Sequence, residues 1–286
     1  MIIEFFQFYK VPILAGILVG ILLGAIGIFV VLRRITLFGI TLSQAAGVAV
    51  ILSLIAGIHG EIFILFATVI VMLPFHFFSA SSNKNSDAVL AGGFVFFTSL
   101  SHLLTAFGGG ISNHLTRTFF GDILTVTEDE WLHLTIPILV IIPVFYFLLP
   151  YFKAVTFDRD ETVILGRNSD LIELLFFLLL TFLLGMAIKL FGSLFSIAHL
   201  ILPALAVLPF SKNVGRAVIF AMLFSAAATL LGFTLSFFPI HMGSEEIHLP
   251  TSTSIILFLS AGTFLMRNLH SFSSIIFPGF RNRIKN

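Results

Sequence analysis

The stretch Val11–Leu32, VPILAGILVGILLGAIGIFVVL, runs for 22 residues without a charged or strongly polar side chain. A helix of that length is about 33 Å long, enough to cross the roughly 30 Å hydrocarbon core of a bilayer. Its glycines Gly16, Gly20 and Gly24 recur at every fourth residue and therefore share one helix face. Small residues at this spacing let a second helix backbone approach closely. We therefore predict a spanning helix whose glycine face serves helix packing, in preference to a substrate site.

The rest of the chain repeats this character. Of its 286 residues, 58% are hydrophobic and 10% are charged, whereas soluble domains carry about 25% charged residues. Hydropathy and segment length predict an all-α, polytopic integral membrane protein with one transmembrane domain over residues 1–286. The predicted bundle has about nine helices, which are Val11–Leu32, Leu37–Ile58, Ile62–Ser79, Val89–Phe107, Trp131–Tyr151, Leu171–Phe191, Ser193–Phe210, Val214–Phe237 and Thr253–Met266.

The distribution of Lys and Arg predicts the orientation of these spans, since both residues concentrate on the cytoplasmic side of a membrane. With the N-terminus outside, twelve of the fifteen fall on the inner side, and only Lys10, Arg117 and Lys189 fall outside. An even number of spans would destroy this asymmetry. We therefore expect the N-terminus outside and the C-terminus inside, and the amphipathic loop 152–170 on the cytoplasmic side.

Several functional classes are excluded or disfavoured. A net charge of +1 offers no field that would attract nucleic acid. No carboxylate lies near the middle of a predicted span, although ion-coupled carriers usually need one there. The chain contains no G-x-x-x-x-G-K-[ST] phosphate loop and no H-E-x-x-H or G-x-S-x-G element. If the chain transports a substrate, the energy must come from a separate ATPase, and the chain itself is not an enzyme.

Three polar side chains in the spans are candidates for an ion path. His102 lies in the outer part of the fourth span and His199 lies in the seventh, and imidazole suits zinc and similar cations. Gln44, in the second span, needs a hydrogen-bonding partner in lipid and is a candidate pore-lining residue. The alternative for all three is that they only satisfy neighbours within the bundle.

Four segments, in this order, carry a resemblance to a known family. They are VVLRRITLFGITLS over Val30–Ser43, FFGDILTV over Phe119–Val126, FDRDETVILG over Phe157–Gly166, and GSLFSIAHLILPALAV over Gly192–Val207. The first resembles the family's arginine pair and the second its Gly-Asp-Ile-Leu element. The third is similar to its cytoplasmic loop and the fourth to its proline-containing helix. The chain thus resembles the membrane permease subunit of metal-ion ABC transporters, the zinc, manganese and iron uptake family.

The resemblance implies partners and sites. It implies a homodimeric pore in the bacterial cytoplasmic membrane, an ABC ATPase that uses ATP on the cytoplasmic face, and an extracytoplasmic metal-binding protein; no cofactor is expected in this chain. Phe157, Asp158 and Gly166 fall in the segment that couples the permease to the ATPase. Asp122, in the Gly-Asp element, becomes a third metal-ligand candidate beside His102 and His199.

One departure concerns the metal. Many relatives carry Asp and His four residues apart in the second span, as metal ligands, and the matching positions here are Ile40 and Gln44. Ile cannot bind a metal and Gln is a poor ligand for transition metals, so no metal site is carried over to this motif. We expect an importer of a divalent metal, zinc first, then manganese or iron. The alternatives are a permease for a metal chelate such as a siderophore or cobalamin, a non-transporting membrane scaffold and an intramembrane enzyme.

The orientation is directly testable because the chain has no cysteine. In intact cells, a membrane-impermeant thiol reagent should label Arg117→Cys, in a predicted outer loop, and should leave Asn286→Cys unlabelled until the cells are opened. Labelling of Asn286→Cys in intact cells would refute the predicted orientation.

Overall fold

The computed structural model describes residues 8–58, 61–81, 86–107, 121, 123–238, 240–242, 245–247 and 249–276. Apart from one small hairpin, the regular structure in these ranges is helical. The helices are α1 Lys10–Leu32, α2 Thr36–Ala56, α3 Glu61–Ser81, α4 Ser86–Phe107, α5 Glu128–Phe157, α6 Arg159–Ile164, α7 Ser169–Phe191, α8 Ser193–Val207, α9 Val214–Phe237 and α10 Thr251–Ile276. Single 3-10 turns lie at Ile123–Thr125 and Leu208–Phe210, and β1 Ile240–Met242 pairs antiparallel with β2 Glu245–Ile247.

The all-α membrane class is confirmed. Within the described ranges, seven helices are long and apolar enough to cross a bilayer: α1, α2, α4, α5, α7, α8 with its following turn, and α9. The remaining long helices, α3 and α10, coincide with the third and ninth predicted spans. The small sixth helix lies within the predicted loop 152–170. The described ranges thus contain nine helices of 15 residues or more, in agreement with the expected number of about nine spans.

Two helices extend well past their predicted ends. Helix α5 covers 30 residues, about 45 Å, and starts at a capping box in which Thr127 and Glu130 each accept a hydrogen bond from the other's backbone N–H. Helix α10 runs ten residues beyond Met266, to Ile276. Hydropathy marks only the apolar part of a helix, whereas backbone hydrogen bonding continues into polar sequence. The predicted boundaries Trp131–Tyr151 and Thr253–Met266 were therefore too narrow.

Helices α7 and α8 are separated by one residue, Gly192, with φ +84° and ψ 165°. Gly121 lies against this break: a Cβ at Gly121 would come within 1.7 Å of the Phe191 carbonyl oxygen. Gly121 also has φ +66°, which favours glycine. The glycine of the Gly-Asp-Ile-Leu segment is thus required by a backbone contact with the α7–α8 junction.

The glycine face of α1 contacts three parts of the fold. A Cβ at Gly16 would lie 2.4 Å from Ile123, one at Gly20 would lie 2.7 Å from the His199 ring, and one at Gly24 would lie 3.2 Å from a backbone oxygen of α9. The closest approach is at Gly27, where a Cβ would lie 1.8 Å from the carbonyl oxygen of Leu200 on α8. Gly27 falls outside the four-residue repeat of the other three glycines, but it follows Gly24 at i+3 and so lies on the same face.

We predict that Gly27→Ala destabilises the protein in detergent by about 1–3 kcal/mol or more, because the added methyl group meets backbone that cannot rotate away. Gly92→Ala on α4 is the matched control, since nothing lies within 4 Å of the Cβ position there. The measurement is the thermal unfolding midpoint of each purified variant. Equal midpoints for the two variants would contradict the close packing of α1 on α8.

Candidate functional site

Gln44 lies inside the bundle on α2, only 4% exposed, facing α4. Its amide nitrogen is 3.4 Å from the Ser43 hydroxyl, and its carbonyl oxygen is 3.4 Å from the Thr98 hydroxyl. Both distances are at the long end for hydrogen bonds. The Thr98 hydroxyl also donates to the Phe94 carbonyl at 2.7 Å, and it has a single proton to give. Gln44 is therefore weakly satisfied and retains capacity for another hydrogen-bonding group.

Helix α4 carries a further polar residue, Ser101, beyond Thr98. We call Gln44, Thr98 and Ser101 the polar strip. Ser101 lies one turn beyond Thr98 and is 1% exposed, and within the described chain its hydroxyl has no hydrogen-bond partner. Thr181 on α7 is likewise buried and unpartnered there. Ile40, one turn before Gln44, is half-buried and has no ligating atom. The two contacts described for Gln44, with Ser43 and Thr98, are thus both with neutral hydroxyl groups.

His199 is fully buried between α1, α8 and α9. Its Nδ1 is 3.1 Å from the Phe195 carbonyl oxygen and its Nε2 is 3.0 Å from the Thr229 hydroxyl. A carbonyl only accepts, so Nδ1 donates, and in the neutral ring Nε2 can only accept. The Thr229 hydroxyl has a single proton, and the Ser225 carbonyl oxygen at 2.9 Å competes with Nε2 for it. Both ring nitrogens therefore lie within hydrogen-bonding distance of protein groups. A cation would reach Nε2 only after Thr229 turned away.

One further polar group borders the imidazole. The Cβ position of Gly20 is 2.9 Å from His199 Nε2 and 2.9 Å from the Ser225 hydroxyl. The Ser225 hydroxyl is buried and unpartnered among the described residues. Gly20, His199, Ser225 and Thr229 therefore form one buried polar cluster, for which the sequence signal was the histidine alone.

Of the three predicted metal ligands, the structure describes His102 and His199, which lie on different helices, α4 and α8. His102 is exposed on α4, and among the residues described no group of three or more His, Cys, Asp or Glu side chains is placed to hold a metal ion. Asp122 lies outside the described residues. Its neighbour Ile123 is buried, and the Ile123 N–H donates to the Ser252 hydroxyl of α10 at 3.3 Å.

The segment after α5 presents a second site. Asp158 ends α5 and caps the N-terminus of α6, where its carboxylate accepts from the Glu161 N–H at 2.8 Å. Thr162 is the buried residue of the short helix, and its hydroxyl donates to the Asp158 carbonyl oxygen at 2.7 Å. Gly166 follows with φ +73° and donates its N–H to Val163. Asp158 and Gly166 thus define the two ends of this helix.

Large apolar side chains on this segment are exposed. Phe157 is 68% exposed and Ile164 is 83% exposed, and Val163 and Leu165 beside them are also exposed. They stand among charged residues, in sequence that is too polar to lie in lipid. Several large apolar side chains exposed on one short segment among polar residues are typical of a protein interface. We call Phe157, Val163, Ile164 and Leu165 the coupling patch.

Comparison with known proteins agrees with the fold and the motifs. The sequence profile described as "ABC 3 transport family" matches residues 5–268. The manganese import system permease protein ScaB of Streptococcus gordonii is 26% identical over 256 residues, covering 89% of this chain and 90% of ScaB. The high-affinity zinc uptake system membrane protein ZnuB of Buchnera aphidicola subsp. Schizaphis graminum is 29% identical over 264 residues, covering 90% and 95%.

Solved structures show the same fold. PsaBC from Streptococcus pneumoniae in complex with Fab superposes with a TM-score of 0.80 at 22% identity, over 93% of this chain and 95% of the other. A transporter described as metal-chelate type, in an inward-facing conformation, gives 0.68 at 18% identity over 90% and 84%. Bundle and sequence together define a multi-pass membrane transport protein. The chain belongs to the ABC 3 transport family, which confirms the resemblance drawn from its four segments.

The hydrogen bond between Thr229 and His199 is testable by stability. Thr229→Val should lower the free energy of unfolding by about 1–3 kcal/mol, because it leaves a buried ring nitrogen without a partner. Thr234→Val, on the same helix, is the matched control, since the Thr234 hydroxyl only donates to its own helix at an exposed site. The thermal midpoints of the two purified variants give the comparison. A Thr229→Val midpoint as high as that of Thr234→Val would rule out this contact.

Proposed function

We propose that this chain is the permease subunit of an ABC importer for a divalent metal ion. The observation that carries the proposal is the coupling patch, an exposed apolar surface directly after a membrane-spanning helix. Membership of the ABC 3 transport family supports a role in transport. The similar proteins are named for the import of manganese or of zinc. The same family membership argues against a scaffold or an intramembrane enzyme.

The partners follow from what the chain lacks. Its sequence contains no nucleotide-binding loop, so a separate ATPase supplies the energy by binding the coupling patch on the cytoplasmic side. A second copy of the chain completes the pore, and an extracytoplasmic metal-binding protein delivers the ion. The chain lies in a bacterial cytoplasmic membrane with its N-terminus outside and its C-terminus inside, in agreement with the Lys and Arg distribution.

We further propose that the ion passes Gln44 with part of its water shell. The amide of Gln44 and the hydroxyls of Ser43 and Thr98 are neutral groups, which suit hydration water better than a bare transition metal. Transport requires binding that is strong enough for entry and weak enough for release. His102, His199 and Asp122 remain candidate ligands elsewhere on the path, and His199 would first have to exchange Thr229 for the ion.

A second candidate is import of a metal chelate. It is favoured by Ile40 and Gln44 in place of ligating residues, since a chelated metal needs no ligand from the protein. The likeness of the fold to a transporter described as metal-chelate type supports the same alternative.

The role of the coupling patch predicts the effect of Phe157→Ala. Loss of a buried aromatic anchor typically costs more than about 2 kcal/mol at an interface, so ATPase binding should fall roughly thirtyfold and transport should be lost, with the permease still folded. Phe147→Ala is the matched control, because Phe147 is 71% exposed on the same helix but lies in the apolar span. The measurement is the amount of ATPase that co-purifies with each variant. Equal recovery from both variants would refute the proposed docking role.

The substrate is tested in the same system. A bacterial cell that lacks its own metal uptake, expressing this chain with its ATPase and binding protein, should resume growth on limiting free zinc, manganese or iron. Growth only when the metal is supplied as a chelate would favour the second candidate instead. Failure of every metal and chelate, with the complex assembled, would overturn the proposed function.

A further inference from the structure

Arg33, directly after α1, binds the end of α5. Its Nε donates to the Thr156 hydroxyl at 2.8 Å, and one terminal nitrogen donates to the Phe152 carbonyl oxygen at 3.3 Å. Its guanidinium carbon lies 4.3 Å from the centre of the Phe176 ring on α7. These are charge-assisted hydrogen bonds and a cation–π contact made by one half-buried side chain. Arg33 therefore joins α1, α5 and α7 at a single point.

The charge of Arg33 is maintained at this position. Burial lowers the pKa of Arg33 to about 10, while nearby Glu173 acts to raise it. With a pKa about three units above neutral pH, the guanidinium stays protonated. Four phenylalanines pack against one another beside it, from α1, α5 and α7: Phe29, Phe145, Phe152 and Phe176. The contact of Arg33 is thus backed by tightly packed side chains, which have little freedom to absorb a displacement.

The position of Thr156 gives this contact its significance. Thr156 immediately precedes Phe157, the aromatic residue of the coupling patch, and lies in the last turn of α5. The short helix α6 adds a second connection, in which Arg159 binds Asp170 at 2.6 Å and lies 3.7 Å from Glu173. The side chains of Arg159 and Asp170 are 53% and 81% exposed, so this ion pair contributes little to stability. Arg33 is the more buried link between the coupling segment and the rest of the bundle.

On its other side, Arg33 is connected to α2 by a short, closed turn. The Arg34 N–H donates to Val31 at 3.1 Å and the Ile35 N–H donates to Val30 at 3.0 Å. Arg34 has φ +59°, and α2 begins at Thr36. A turn closed in this way leaves no slack chain between α1 and α2. A displacement of Arg33 must therefore also move the start of the helix that carries Gln44.

We propose that Arg33 is a positioning residue that transmits movement of the coupling segment to the α1–α2 turn, and through it to the polar strip around Gln44. This inference rests on the proposed function, since it requires an ATPase that moves Phe157 and α6. The described route runs from Phe157 to Thr156, to Arg33 and across the closed turn to α2. Every step of it is a covalent neighbour or a contact stated above.

The test measures coupling directly. The chain, its ATPase and its binding protein are reconstituted in vesicles, and metal uptake and ATP hydrolysis are recorded together. Changes along coupling networks alter coupling by a factor of about two to thirty, so Arg33→Gln should lower the ions moved per ATP by that factor. ATPase co-purification and hydrolysis should remain. Arg34→Gln is the matched control, because it removes the adjacent, exposed arginine.

A second variant guards against misfolding of the first. Thr156→Val removes the hydroxyl that accepts from Arg33 while keeping the side-chain shape, and it should lower the same ratio. The double variant Arg33→Gln with Thr156→Val should be no worse than Arg33→Gln alone, because both act through one contact.

Three results would overturn the inference. They are a wild-type ratio of uptake to hydrolysis in both single variants, loss of ATPase binding in step with loss of uptake, and additive effects in the double variant. If the wild-type chain binds no ATPase, or if the reconstituted wild-type vesicles take up no metal, the proposed function is overturned, and the inference with it. The two failures are thus distinguished by the wild-type measurement.

Discussion

Close backbone contact between α1 and α8 is the interaction on which the bundle depends. At Gly27 the two helices approach so closely that the Leu200 carbonyl oxygen occupies the place of a side chain. In lipid there is no hydrophobic gain from association, so helices are held by van der Waals contact and by polar groups shared between them. The glycine face provides the first, and the His199–Thr229 hydrogen bond beside Gly20 provides the second. Helices α7, α9 and the turn at Ile123 are then arranged around this pair.

The polar content of the bundle sets the kind of transport it supports. Several hydroxyl groups in the spans cost little in lipid because they hydrogen-bond to the backbone of their own helix, as Thr98 does to Phe94. Neutral groups of this kind bind a metal ion or its water only weakly, and they carry no charge that could be exchanged for a proton. In the proposed function, the driving force reaches the bundle from the end of α5, which continues into the coupling patch. An exposed Phe157 and a half-buried Arg33 lie on either side of Thr156 at this point.

The ends of the short helix after α5 follow from local sequence, whereas the contacts of the candidate ion-path residues depend on elements that are remote in sequence. Asp158 and Gly166 mark helix ends through local backbone preferences, which neighbouring residues determine. His199 was a reasonable ligand by residue type, yet its nitrogens lie within hydrogen-bonding distance of Phe195 and Thr229. Thr229 is 30 residues away in sequence, and no local pattern states that a threonine on one helix faces a histidine on another. Arg33 was noted only as one of an arginine pair, for the same reason.

The sequence by itself determined the membrane class, the approximate number of spans and the position of the amphipathic loop 152–170 that contains α6, because each depends on hydropathy or length. The lack of a nucleotide-binding loop in the sequence also underlies the proposal that a separate ATPase supplies the energy. Only the tertiary structure decided which glycines lie against backbone, which polar groups lack partners and which arginine holds the end of α5. Those properties depend on the distance between helices that are remote in sequence, and hydropathy carries no information about that distance.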